Sequence, residues 1–199
     1  MSYPKFFDEV KSITLHDPLA EILGAASGGT MTYAYLDAVK LAGHSCPTVA
    51  GAWLMTLKTL EKLHPDSMPE RGNFRVEFGA AQSDGVTGVI ATVTSLITGA
   101  AGEGGFKGLG GKFERRNLLQ FDSGKFELRF TRRDTGASVE ASYHPEIVPP
   151  LPGMAERMQA LLSGKASAQE RAEFATLWQM RVKRILIDHF DHPQLVVCR

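Results

Sequence analysis

The chain has 199 residues, 43% hydrophobic and 22% charged, and its 22 basic and 22 acidic residues cancel. That length fits one good-sized domain, or one domain with an appendage, and the apolar share suffices for a packed core. The balanced charge lacks the basic excess that nucleic acid or an anionic membrane surface would favour, so neither is expected as a partner.

No stretch approaches the roughly 18 uncharged apolar residues of a membrane span, and Met1–Phe7 holds no apolar run of signal-peptide length. The cysteines are Cys46 and Cys198, far apart in sequence, with Cys198 penultimate and expected in a mobile tail. A structural disulfide is therefore not expected, and a reducing cytoplasm is the expected compartment.

Phe6, Val10 and Ile13 recur at helical spacing and predict a short amphipathic helix over Lys5–Ser12. His16-Asp17-Pro18 reads as a turn, with Asp17 capping a helix through Pro18–Leu23. Ser27-Gly28-Gly29 breaks that helix, and Tyr33, Leu36 and Val39 form a stripe that runs to a stop at Gly43. From Pro47, the residues Val49, Trp53, Leu57 and Leu60 give the clearest helical stripe in the chain. It ends near His64, because Pro65 disfavours helical geometry in the residue before it. Phe74–Phe78 alternates as a strand. Val86, Val89, Ile90 and Val93 predict another helix reaching Ile97, with Ser83-Asp84-Gly85 as its cap.

Residues 99–111 are rich in glycine, with Lys107, Lys112, Arg115 and Arg116 nearby. The stretch reads as a mobile surface loop, or as a lid whose amides approach an anion. Its spacing matches neither the nucleotide P-loop nor the dinucleotide fingerprint. Arg115–Phe121, Lys125–Thr131 and Ser138–Tyr143 predict a meander joined through Asp122-Ser123-Gly124 and Asp134-Thr135-Gly136. Pro145, Pro149, Pro150 and Pro152 mark a linker. Two amphipathic helices follow, one carrying Met154, Met158, Leu161 and Leu162, the other opened by the capping-box pattern Ser167–Glu170. Phe174, Trp178, Val182 and Ile185 form the second helix's apolar stripe. The expected fold is α+β, a small and mainly antiparallel sheet packed on helices. Residues 1–148 form its main domain, and 149–199 a helical C-terminal extension that joins the same compact unit or closes a dimer.

Chemistry concentrates where a helix stops at Gly43, presents His44 and Cys46 two positions apart, and restarts at Pro47. Proline is favoured at the first position of a helix, so Ser45 or Cys46 falls at the cap. The Cys46 sulfur then faces the positive end of the new helix, which favours thiolate over thiol. A thiolate beside an imidazole serves either as a soft metal site or as a nucleophile.

The run Gly43-His44-Ser45-Cys46-Pro47, with Gly51 one turn on, resembles the FmdE family, named after one of the subunits of formylmethanofuran dehydrogenase. Thr48 stands where that family usually has glycine. The resemblance spans about Tyr33 to about Tyr143. It implies a functional site at His44 and Cys46, a homodimer, and association with a molybdenum or tungsten redox enzyme. Zinc, or another divalent transition metal, suits imidazole and thiolate. Members often carry a cysteine-rich zinc module after the shared domain, and this chain has its linker and helices there instead.

Two protein ligands are too few for a closed structural zinc site, so an open site completed by water or substrate is expected. His16 is the first candidate for the third ligand, folding back onto the motif. His64 and His144 abut prolines and read as boundary residues, while His189 and His192 read as exposed tail residues. Asp37 is a candidate to orient His44 from behind. Three functions are open. One is a metal-dependent domain using His16, His44 and Cys46 to bind or transform a small molecule. Another is a thiol enzyme with Cys46 as catalytic nucleophile and His44 as its partner. The last is a non-catalytic accessory subunit of a redox enzyme.

Overall fold

The computed structural model describes residues 3–199. Phe6 and Phe7 bury themselves from a five-residue 3-10 turn, Lys5–Glu9, in place of the predicted amphipathic helix. The turn ends because Val10 is already extended, and the chain enters a strand. That strand, β1 (Ile13–His16), pairs antiparallel with β2 (Thr30–Tyr33), Ile13 opposite Tyr33 and His16 opposite Thr30. Helix α1 (Pro18–Ile22) sits between them, capped as expected by Asp17, whose Oδ1 accepts from the Leu19 and Ala20 amides.

Helix α2 (Tyr35–Ala42) ends at Gly43, whose φ of 74° is left-handed and suits glycine. Helix α3 (Pro47–Leu63) is the centre of the molecule. Every residue from Val49 to Leu57 is buried, the signature of a helix apolar on all sides. Trp53 donates Nε1–H to Lys11 O at 3.2 Å and meets Tyr35 edge-on with ring centroids 5.9 Å apart.

Strand β3 (Phe74–Phe78) leads to α4 (Thr87–Thr98), which packs along α3. The hydroxyls of Thr56 and Thr94, 3.2 Å apart, are satisfied within that contact. Val86 occupies the cap of α4 without a side-chain bond, so Ser83-Asp84-Gly85 is a preceding turn and not the predicted cap.

Strands β4 (Leu119–Gln120), β5 (Leu128–Arg132), β6 (Ser138–Tyr143) and β7 (Val196–Cys198) complete a sheet in the order β4-β3-β5-β6-β7. Only β3 and β4 run parallel, so the fold is α+β with a mainly antiparallel sheet, as expected. The predicted meander is altered in its first strand. Arg115–Phe121 contracts to two residues, and β3 lies between them and β5. Asn117 and Asp122 adopt φ of 57° and 55°, which ends extended geometry on both sides of β4.

Helices α5 (Met154–Leu162) and α6 (Ala168–Lys183) close the chain, α6 opened by the expected capping box between Ser167 and Glu170. A π-turn, Arg184–Asp188, continues α6 and drops Ile185 and Leu186 into the core. The end of the chain is ordered against the expectation of a mobile tail. Tyr143 pairs with Val196 and Ala141 with Cys198, and Lys62 Nζ donates to Cys198 O at 2.7 Å. No described helix is long and apolar enough to cross a membrane.

Candidate functional site

The turn between α2 and α3 has the local geometry that the sequence predicts. Cys46 occupies the cap of α3 with extended backbone, Pro47 is the first helical residue, and the Val49 amide donates to Cys46 Sγ at 3.4 Å. His44 donates Nδ1–H to Ala42 O at 2.9 Å, because a carbonyl can only accept. In the neutral ring Nε2 is therefore the nitrogen with the free lone pair.

Two elements hold the turn from different sides. Ser45 Oγ shares a hydrogen bond of 3.0 Å with the buried Tyr35 hydroxyl. Its carbonyl accepts from Trp178 Nε1 at 2.9 Å and from Gln179 Nε2 at 3.2 Å, so α6 clamps the motif. The stripe containing Trp178 thus packs on its own chain.

A cavity of about 550 Å3 opens beside the turn, lined by His44, Cys46, Pro47 and Thr48. Val86 at the cap of α4 and Ile90 within it, Glu127, Tyr143 and Pro145 from the sheet side, and Trp178 and Arg181 from α6 complete its wall. Tyr143 lies flat on α3 at Gly51, where an added Cβ would sit 2.3 Å from ring Cε1. Its hydroxyl is buried without a partner among the described residues, and burial pushes the phenol above its ordinary range. Glu127 accepts from the Tyr143 amide at 2.9 Å. The side chain as a whole is exposed, yet partial loss of water around the carboxyl pushes it up, against the pull of that amide and of His144. Arg181 donates Nε–H to Val148 O at 2.8 Å and Nη2–H to Pro145 O at 3.2 Å, and burial disfavours its charge.

Of the predicted site residues, His44 and Cys46 share this cavity. His16 does not line it. It ends β1, with Nε2 2.9 Å from Glu21 Oε2 and its ring against Gly29. Among the described residues no group of three or more His, Cys, Asp or Glu is placed to hold a metal ion. Asp37 does not reach behind His44, for its Oδ2 accepts from the Ala34 amide at the start of α2. His64 bonds to Ser67 and packs edge-on against Phe74, and His144 bonds to Ser142 and Glu146. His189 and His192 are partly buried and not the exposed tail residues expected.

The glycine-rich stretch lends no residue to the cavity wall. It is held elsewhere by Arg115, 5% exposed, whose Nη2 lies 2.9 Å from Asp17 Oδ1. Sequence reasoning missed Glu127, Tyr143 and Arg181 as site residues. Tyr143 carried one usable signal, since a glycine inside so apolar a helix as α3 marks a close neighbour.

The model of the FmdE family, described as belonging to the molybdenum formylmethanofuran dehydrogenase operon, matches residues 41–191. The chain belongs to the FmdE family. No curated protein and no solved structure matches it. The FmdE match runs beyond the span of the sequence resemblance, through α5 and α6, so every residue that lines the cavity falls within it. His16 and the β1–β2 hairpin precede the FmdE match.

Proposed function

We propose that this chain is a small-molecule-binding member of the FmdE family, with Cys46 and His44 as the reactive end of its site. One observation carries the reading: Cys46 at the head of α3 and the His44 ring line the same cavity of about 550 Å3. That volume falls within the roughly 300–1,000 Å3 of ligand pockets, and a mostly apolar wall with a few polar groups is their usual make-up. In it Cys46 offers a sulfur nucleophile and His44 Nε2 a base.

A second reading has its own support. The bond from His44 Nδ1 to Ala42 O is the kind of backbone hold that orients a ligating imidazole. His44 Nε2 and Cys46 Sγ suit a divalent transition metal, zinc first. The described residues offer two donors there, so the remaining positions would fall to water, the bound molecule or a partner chain. The family's tie to a molybdenum enzyme operon suggests a role as accessory subunit, and co-purification with large redox subunits tests it.

Cobalt(II) titration and alkylation of the Cys198→Ser protein separate the two chemistries. Free-thiol chemistry predicts no sulfur-to-cobalt absorption band, ready alkylation of Cys46 by iodoacetamide, and alkylation slowed about tenfold in His44→Ala. A band that disappears in both His44→Ala and Cys46→Ala supports the metal. Protein with neither a band nor a reactive Cys46 has no chemistry at this turn.

A further inference from the structure

We propose that the ligand of this cavity is a small aromatic anion, a flat apolar body with one carboxylate-type group that pairs with Arg181. The inference rests on the small-molecule reading above and adds the chemistry of the molecule. Arg181 follows Trp178 by three positions on α6, and both line the cavity. Backbone carbonyls of Val148 and Pro145 hold its Nε and Nη2, which fixes the guanidinium plane. A guanidinium has five N–H donors, so others remain for a ligand.

Most of the other buried or partly buried arginines carry an ion pair that this one lacks, Arg184 being the exception. Arg71 and Arg115 meet Asp17, Arg129 meets Glu77, and Arg157 meets Glu173. Among the described residues no ion pair involves Arg181. A cation held partly out of water, oriented by carbonyls and facing a cavity, favours an anionic guest. Fork geometry matches a carboxylate in particular.

The rest of the wall selects the body of the guest. Trp178 offers an aromatic face, and Ile90, Val86 and Pro145 offer apolar surface. Glu127 lies on the same wall and disfavours a second anionic group.

Isothermal titration of the full chain with 2-naphthoate and 2-naphthamide, matched in shape and different in charge, tests the assignment. The wild type should bind the naphthoate about tenfold or more tightly, the gain of a charged hydrogen-bonded pair. Arg181→Met should erase that preference, and Arg181→Lys, which keeps the charge, should retain part of it. An N-ethylmaleimide adduct on Cys46 should block both compounds in the Cys198→Ser protein.

Equal binding of the two compounds by the wild type, or an adduct without effect, would overturn the anion assignment. Binding of neither would remove the small-molecule reading together with it. The wild-type comparison decides even where Arg181→Met does not fold, since Arg181 also holds two carbonyls.

Discussion

Replacing Asp17 with alanine is expected to cost about 3–5 kcal/mol of unfolding free energy, the usual consequence of stranding a buried partner charge. Asp17 is 3% exposed, with Oδ2 2.9 Å from Arg71 Nη1 and Oδ1 2.9 Å from Arg115 Nη2. Arg115 is itself buried, and its Nε and Nη1 have no partner among the described residues, so it depends on Asp17 to offset its desolvation. Arg71 also donates to Leu96 O and Ile97 O at the end of α4. The cluster therefore ties the β1 hairpin, the end of α4 and the glycine-rich stretch together. Asp17 is also the cap of α1, and that role alone is worth about 1 kcal/mol.

Asn at the same position separates the contributions. Asp17→Asn keeps an oxygen for the Leu19 and Ala20 amides and removes the charge, so it should recover only the capping part. Urea unfolding at neutral pH measures both variants, and a loss below about 1 kcal/mol for Asp17→Ala would mean that the cap is all it supplies. The pH dependence follows from the same contacts. Burial by itself pushes the Asp17 carboxyl up, but the Arg71 bond, the Arg115 charge and the Ala20 amide outweigh it and hold the group below its ordinary value. A carboxyl depressed in the folded state adds stability that is complete above the unfolded value of about 3.9 and is lost as pH falls below it. The acid limb of the wild-type stability curve should therefore be steeper than that of Asp17→Ala. Glu77, depressed in the same direction by Arg129 and Arg75 against its own burial, leaves a residual acid limb in the variant.

Local signals carry part of this architecture and stop where distant contacts begin. The turn from Gly43 to Pro47 is legible because each residue acts on its own neighbourhood. Gly43 supplies the left-handed stop, Pro47 the helix start and Cys46 the cap. The start of α6 is legible for the same reason, its capping box being closed within three residues. The β1–β2 hairpin is hidden because its four-residue strands are too short for an alternating pattern and enclose a helix. Arg115 reads as a surface charge near a loop, yet its partner lies 98 residues away. The Trp178 stripe fits a dimer interface or self-packing equally well in sequence. An indole N–H that reaches Ser45 O across 133 positions seats Trp178 on its own chain, a contact that no local pattern marks. Likewise the cavity draws its wall from Thr48, Ile90, Glu127 and Arg181, four segments that no spacing rule connects. The sequence therefore points to His44 and Cys46 and leaves unmarked the residues that complete the cavity wall around them.

Gly51→Ala is the change expected to join stability to the site most directly. In an isolated helix the methyl would help by about 1 kcal/mol, since glycine is the poorer helix former. Here the new Cβ falls 2.3 Å from Tyr143 Cε1, 2.4 Å from Cδ1 and 2.7 Å from Cζ, closer than packed atoms approach. Overfilling a packed contact costs about 1–3 kcal/mol, so the net effect is a destabilisation of up to about 2 kcal/mol. The ring has a way out, because its hydroxyl is untethered and the cavity lies beside it. Tyr143 should therefore swing into the space above Cys46, and the affinity for 2-naphthoate should fall by about tenfold or more, about 1.4 kcal/mol. A double-mutant cycle with Tyr143→Ala isolates the contact. Once the ring is gone the methyl fills space where before it collided, so the double mutant should be more stable than the sum of the single losses by about 1 kcal/mol or more. Strict additivity, together with unchanged naphthoate binding in Gly51→Ala, would show that the ring neither rests on this helix nor bounds the cavity.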